Sequence, residues 1–413
     1  MNTPTILARS GATFRAAAAV PPLAAPALAA MALLALACAP EDEQPARVFP
    51  EVPTFEGSID LEIGEMDGDD PYLFTRIASI VGDAQGRLIV ADGQTSEIRV
   101  FEADGTFAFR AGGHGEGPGE LSDICCLAIG PDGELWVRES ARYSVFALQS
   151  ASAEYLRGMR SLHPGARGLR EPFTFDADGN LVNVGPVTSE DGTNLTAQLR
   201  GVTARLLVSP DGAVDTVVLA NADRQYTGQA TSEFVREAEG RSIRGIMYLH
   251  HWFGPAWIHA HADGGAWAEA VTSQYSINYH HPDGTVSLIE GPPLEGPVLS
   301  PDERTTAESR IQRDLDRSDL DNHPFGIPDR KPPLEGMFFD AGGRLWVEKS
   351  AADGAETREA DVWAGTELVA RYRWPRRINE LPTPWATDSM LYGVTTDSLG
   401  VQRVARVRFE TGN

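Results

Sequence analysis

Short apolar runs, each opened by a glycine-bearing turn, recur from one end of this chain to the other. The clearest copies read DAQGRLIV (83–90), GPDGELWV (130–137), DADGNLV (176–182), HADGGAWA (261–268) and DAGGRLWV (340–347), with a sixth, degenerate copy around 388–394. Asp and Gly supply the tight turn, and the apolar run after it predicts a strand. One such hairpin cannot bury both of its faces alone. Six of them therefore imply a radial array of blades, each covered by its neighbours.

The first blade reads most cleanly, with strands predicted over 77–82, 87–91, 97–102 and 106–111. A second blade follows over 121–160, a third over about 168–220, a fourth over 255–290 and a fifth over 335–374. The sixth has only three strands of its own, 376–387, 390–395 and 402–410. The alternating segment GSIDLEIGE (57–65) is predicted to complete it, closing the ring and removing two open sheet edges. The fold class is therefore all-β, with helical insertions in two oversized connectors, 221–254 and 291–334. Helices are expected at 231–239 and 302–319, the second capped by Ser300 with Pro301 at its first position. Both connectors join an outer strand to the next inner strand, which places them on one rim.

Residues 1–37 carry two arginines, no acid, and the uncharged run Ala16–Ala37, which predicts a signal peptide. Leu34-Ala35-Leu36-Ala37-Cys38 resembles a bacterial lipobox, so Cys38 is the expected lipid attachment site. Residues 38–56 then form an acidic tether, and 57–413 form the propeller. Export to a membrane surface facing the periplasm or cell exterior follows from this reading. Removing residues 1–37 takes the formal charge from −24 to −26. A surface this acidic disfavours nucleic acid, so membrane contact is expected through the lipid alone. In an oxidising compartment the adjacent Cys125 and Cys126 either close a vicinal disulfide or remain two thiols on opposite faces of a strand.

The run IRVFEADGTFAFRAGGHGEGPGELSDICCLAIGPDGELWV (98–137) resembles NHL-type six-bladed β-propellers, especially exported bacterial lipoproteins of that architecture. The resemblance covers 75–150 best, then 255–290 and 334–410. It implies the fold and no settled activity. Related propellers include amidating lyases and gluconolactonase-like hydrolases, but neither group's metal-site pattern occurs here. The glycine-rich stretch 112–119 carries Glu116 and lacks Lys, so it reads as a connector between blades rather than a phosphate loop. DADGN (176–180) starts like a calcium loop but lacks the acid at the twelfth position, and a hairpin explains it.

Six of the nine histidines fall between His250 and His281. His250, His251, Trp252 and Trp257 are candidate ligand contacts on the loop rim. His259 and His261 share one strand face, the least arrangement with which two imidazoles meet zinc or calcium. The expected function is a binding or scaffold module for a protein, peptide or glycan on the rim built by 221–254 and 291–334, with no cofactor required. The alternative is a channel-based lyase or lactone hydrolase with a divalent metal at His259 and His261.

Overall fold

Asp83 shows how the first hairpin of a blade is made. Its Oδ1 accepts hydrogen bonds from the backbone N–H groups of Gln85 (3.0 Å) and Arg87 (2.9 Å), and its Oδ2 accepts from Arg87 Nε (2.7 Å). Gly86 closes this Asx turn at φ +80°, a conformation that favours glycine. Asp340 repeats the arrangement with Gly342, Arg344 and, in addition, Trp346 Nε1 at 2.9 Å. Asp176 makes the same turn with Asp178 and Asn180, so DADGN is a hairpin.

The computed structural model describes residues 49–139, 142–160, 173–186, 203–209, 214–218, 229–238, 241–318 and 320–411. Blade one comprises Ile77–Gly82, Leu88–Asp92, Glu97–Phe101 and Phe107–Ala111, within a residue or so of expectation. Blade two is Cys126–Ile129, Leu135–Arg138, Arg142–Leu148 and Ala153–Arg160. Blade three is Thr174–Phe175, Leu181–Pro186, Thr203–Val208 and Val214–Val218. Blade four is Trp257–His261, Trp267–Val271, Ser276–His280 and Val286–Glu290.

Blade five (Leu334–Phe339, Leu345–Lys349, Thr357–Ala364, Glu367–Pro375) and blade six (Trp385–Ala386, Met390–Thr396, Gln402–Thr411) belong to one eight-stranded sheet. The strand that joins them is Thr54–Ile63. It runs antiparallel to Gln402–Thr411, from Phe55 opposite Thr411 to Ile63 opposite Val404, and pairs briefly in parallel with Arg371–Arg373. Asp60 adds ion pairs to Arg406 Nε (2.7 Å) and Arg408 Nε (2.8 Å). The ring is thus closed by its N-terminal strand, which begins three residues before the predicted 57.

Buried side chains gather where blades meet. Clusters centred on Ile89 and Leu135, Trp136 and Phe175, Val184 and Trp267, Ala260 and Leu345, Trp346 and Val407, and Val90 and Val394 fill six successive seams. Tryptophans at 136 and 346 follow the leucine of the hairpin run and therefore face the next blade, while that leucine faces the previous one.

Two predictions fail. The expected helix at 231–239 is a strand: Gln229–Ala238 pairs with Arg241–His250 in an unbroken ten-residue hairpin. Its pattern suits a helix, but a well-matched partner strand overrides weak helix propensity. The expected strand 376–387 shrinks to Trp385–Ala386. The helix in the second connector does form, as α1 (Pro301–Arg317). Ser300 Oγ accepts from the Glu303 N–H (3.1 Å), and the Glu303 carboxylate accepts from the Ser300 N–H (3.0 Å), a complete capping box. Ser300 Oγ also donates to Asp353 Oδ2 (2.7 Å), docking the helix start on blade five. Replacing Ser300 by Ala should cost about 1 kcal/mol in a urea melt.

The expected signal peptide 1–37, the expected lipid site Cys38 and most of the expected tether 38–56 lie outside the described residues. Among the described residues, no helix is long and apolar enough to cross a membrane.

Candidate functional site

The two rims differ. One carries the short Asp-Gly turns, and the other carries the connectors from outer to inner strands. On the connector rim the two long insertions pack on each other. His251 stacks on Phe325 (ring centroids 4.8 Å apart, 8° between planes), and the Arg310 guanidinium of α1 lies 4.4 Å above the Trp252 ring. His250 leans on Trp252 at 5.5 Å, and Lys331 reaches over Phe253, whose φ is +58°. Burial pushes the His251 pKa below its ordinary value. His250, His251 and Trp252 therefore join the insertions into one cap over blade four.

Trp257, His259 and His261 point elsewhere, into the seam between blades three and four. A one-residue shift explains this seam. In blade two the turn closes from the Gly130 N–H to the Glu134 carbonyl; in blade four it closes from Ala262 to Ala266 and uses both Gly264 and Gly265. Trp267 thereby takes the place of the usual leucine and faces blade three, and Ala268 takes the place of the tryptophan. The blade-four face so presented holds Trp257, His259, His261, Trp267, Glu269 and His280.

Trp267 lies between His280 (3.5 Å) and His261 (5.7 Å), with the Arg205 guanidinium of blade three 5.5 Å from its ring. His259 contacts Trp257 at 4.4 Å and His261 at 5.3 Å. Glu269 accepts from Trp257 Nε1 (2.9 Å) and lies 3.4 Å from His280 Nε2. Because the indole separates His261 from His280, the imidazoles do not converge. Among the described residues no group of three His, Cys, Asp or Glu side chains is placed to hold a metal ion. His259 and His261 supply only two ligands, short of the set a zinc site uses.

Neither ring nitrogen of His261 has a hydrogen-bond partner among the described residues, and both are buried. Burial, helped by His259, Arg205 and His280, holds its pKa well below the usual histidine range. An unfolded histidine takes a proton near pH 6.5 while folded His261 does not. Stability should therefore be lost as pH falls below about 6.5. Calorimetric melts of His261→Leu should show a flatter dependence between about pH 7 and pH 5 than the parent chain.

The connector rim also opens a cavity of roughly 380 Å3 at the end of the seam between blades five and six. Blade six has an inner strand of two residues, so the connector after Pro375 wraps over the seam in its place and Ile378 plugs it. Glu335 from the inner strand of blade five, Arg358 from its third strand, and Arg376, Asn379 and Glu380 from the connector line this cavity. Arg358, with a side chain only 5% exposed, holds Nη2 at 3.2 Å from both Glu335 Oε2 and Glu380 Oε1. Glu348 lies beneath, 4.0 Å from Arg358 Nη1, and its Oε1 is buried without a hydrogen bond.

Burial pushes the Glu348 carboxyl up to about 7; Arg358 opposes the shift, and the like charges of Glu335 and Glu380 add to it. Glu380 is also raised, by loss of water first and by the neighbouring Glu335 second. The arrangement can therefore store and release a proton near neutral pH and offers carboxylate oxygens to a ligand in the cavity. None of these five charged residues was singled out from the sequence. One signal was available: Trp346 and Glu348 are two apart on a strand, so an acid at 348 faces the same buried seam as the indole.

A family described as a 6-bladed beta-propeller matches residues 62–145. No curated protein matches the chain in sequence. Among solved structures, a Bacteroides fragilis protein assigned as exported is 12% identical over 87% of this chain and 100% of its own, with a TM-score of 0.45. A Bacteroides vulgatus protein is 10% identical over 88% and 100%, with a TM-score of 0.46. Virginiamycin B lyase from Staphylococcus aureus is 13% identical over 84% and 98%, with a TM-score of 0.39. With six seams closed by the strand Thr54–Ile63 and this family match, the chain is a six-bladed β-propeller.

Proposed function

We propose that this chain is an exported, lipid-anchored propeller of the NHL type that works as a binding module, holding a peptide, glycan or other small partner on its connector rim. One observation carries the reading: the two long insertions pack together on that rim, and the polar cavity of the blade five/six seam opens there too. Loops converging on a rigid scaffold are where such folds place recognition. Thr54 starts the closing strand at the opposite, turn-bearing rim, since it enters beside Thr411 at the end of the third strand. A tether from an acylated Cys38 would then join the propeller away from the ligand rim.

The test is an array of glycans and peptides probed with the full chain. Its hits should be lost in Arg376→Glu, which alters the cavity, and kept in Asp104→Asn, which alters a turn on the other rim. Equal loss in both variants would sink the rim assignment. The alternative, a metal-dependent lyase or lactone hydrolase, rests on His259 and His261. It requires about one zinc or calcium ion per chain by elemental analysis, lost when both histidines become alanine.

Cys125 and Cys126 adjoin at the rim end of the blade two/three seam, with Cα atoms 3.8 Å apart and their sulfurs in contact. We read them as a vicinal disulfide. Alkylation without reductant should then leave both unmodified by mass, and uptake of two alkyl groups would contradict it.

A further inference from the structure

We propose that the cavity at the blade five/six rim takes a neutral sugar ring, with one hydroxyl on Arg358 Nη2 and its neighbour on the Glu335 or Glu380 carboxylate. This rests on the binding-module reading and narrows its ligand to a glycan. Arg358 carries the argument. Its side chain lines the cavity, is only 5% exposed, and holds Nη2 at 3.2 Å from both Glu335 Oε2 and Glu380 Oε1. Nη2 nevertheless makes no hydrogen bond among the described residues, since neither carboxylate lies along its N–H bonds. A buried donor left unmade is costly, so an acceptor entering the cavity gains at this nitrogen.

Charge decides against an ionic ligand. Glu335 and Glu380 stand beside Arg358 and Arg376 along the lining, so the walls are balanced. A cation would meet two guanidiniums. An anion would meet a Glu380 carboxyl already raised by loss of water and by the neighbouring Glu335. The walls therefore suit a neutral group that accepts from an arginine and donates to a carboxylate.

A peptide amide holds its acceptor and donor on opposite sides of a rigid plane, poorly placed to serve Nη2 and a carboxylate oxygen 3.2 Å from it. A hydroxyl does both from one oxygen, and adjacent hydroxyls on a sugar ring set two such atoms side by side. Glu380, 66% exposed on the connector, has room to turn and admit them. Leu381, 76% exposed at the lip, gives the C–H face of the ring an apolar rest. A volume of roughly 380 Å3 lies near the low end of the range for ligand pockets and suits one ring rather than a chain.

Saturation-transfer NMR on the full chain would use the methyl glycosides of glucose, galactose, mannose, xylose and N-acetylglucosamine. Glucosamine, glucuronate and acetyl-Gly-Gly-amide would run beside them. Saturable binding of at least one neutral glycoside is expected, little changed by added salt because no net charge is exchanged. Glu380→Gln, which puts a donor where an acceptor stood, should melt like the parent and weaken that glycoside about tenfold or more. Asp104→Asn, on the opposite rim, should leave it unchanged.

Preference for the blocked peptide or a charged sugar over every neutral glycoside, binding indifferent to Glu380→Gln, or silence from all the glycosides would overturn the inference. In each case, array hits lost from Arg376→Glu and kept in Asp104→Asn would leave the binding-module reading standing.

Discussion

A chain lacking residues 54–63 should show no cooperative unfolding transition and should aggregate. The missing strand pairs with Gln402–Thr411 along nearly its whole length and lends Ile63 to the blade six/one seam, with Leu61 packed beside it. Phe55 and Ile59 pack against the blade five/six cluster on the other side. Each well-buried aliphatic or aromatic side chain contributes roughly 1.5–3 kcal/mol, so the loss is comparable with the roughly 5–15 kcal/mol that holds a domain together. The deletion also exposes the edges of Gln402–Thr411 and of the outer strand of blade five, and bare edges pair with other chains. Thermal melts followed by circular dichroism and light scattering would check this. A sharp, reversible transition at the parent temperature would mean that the ring does not depend on its N-terminal strand.

The second large effect is expected at Glu348. Its carboxyl is raised from 4.5 to about 7 in the folded chain, so between those values the folded state holds a proton that the unfolded state has released. The stability it contributes is complete below about pH 4.5 and is lost as pH rises through about 7. Glu348→Gln keeps the shape and stays neutral, while Arg358 retains Glu335 and Glu380. The variant should match the parent near pH 5 and be more stable by about 3 kcal/mol or less near pH 8. Urea melts at the two pH values would measure the difference. A variant destabilised equally at both would mean that Glu348 serves packing or a structural ion pair rather than holding a proton. His261→Leu changes the pH profile in the opposite direction, so the two groups are separable by single substitution.

The hairpin turns were legible because their chemistry is local. Asp83, Asp176 and Asp340 fold back on the next few backbone amides, and the alternation after them fixes which side chains face which seam. The closing strand was legible from the alternation of Ile59, Leu61 and Ile63, but a bulge between Ile59 and Leu61 turns Ile59 to the blade five/six seam and the other two to the blade six/one seam. HADGGAWA misled in one respect. Its second glycine moves the turn by one residue, so Trp267 faces blade three, in the seam that also holds the histidine pair.

The hairpin at 229–250 was set by the match of Gln229–Ala238 to the strand just after it, which the periodicity of one segment does not report. The Glu/Arg cavity was hidden because its residues are far apart in sequence. Glu335, Glu348, Arg358 and Glu380 come from three strands and a connector, and only the closed ring brings them to one rim.

The ring itself is tested most directly by a cross-link between its ends. Ser58 and Arg408 face each other across the closing pair, and Asn278 and Leu288 do so within blade four. Cysteines placed at 58 and 408 should oxidise to a disulfide as readily as cysteines at 278 and 288, as read by non-reducing peptide mapping. Linkage within blade four without linkage between residues 58 and 408 would mean that the propeller is open, and that the connector rim assigned to ligand binding is not one continuous surface.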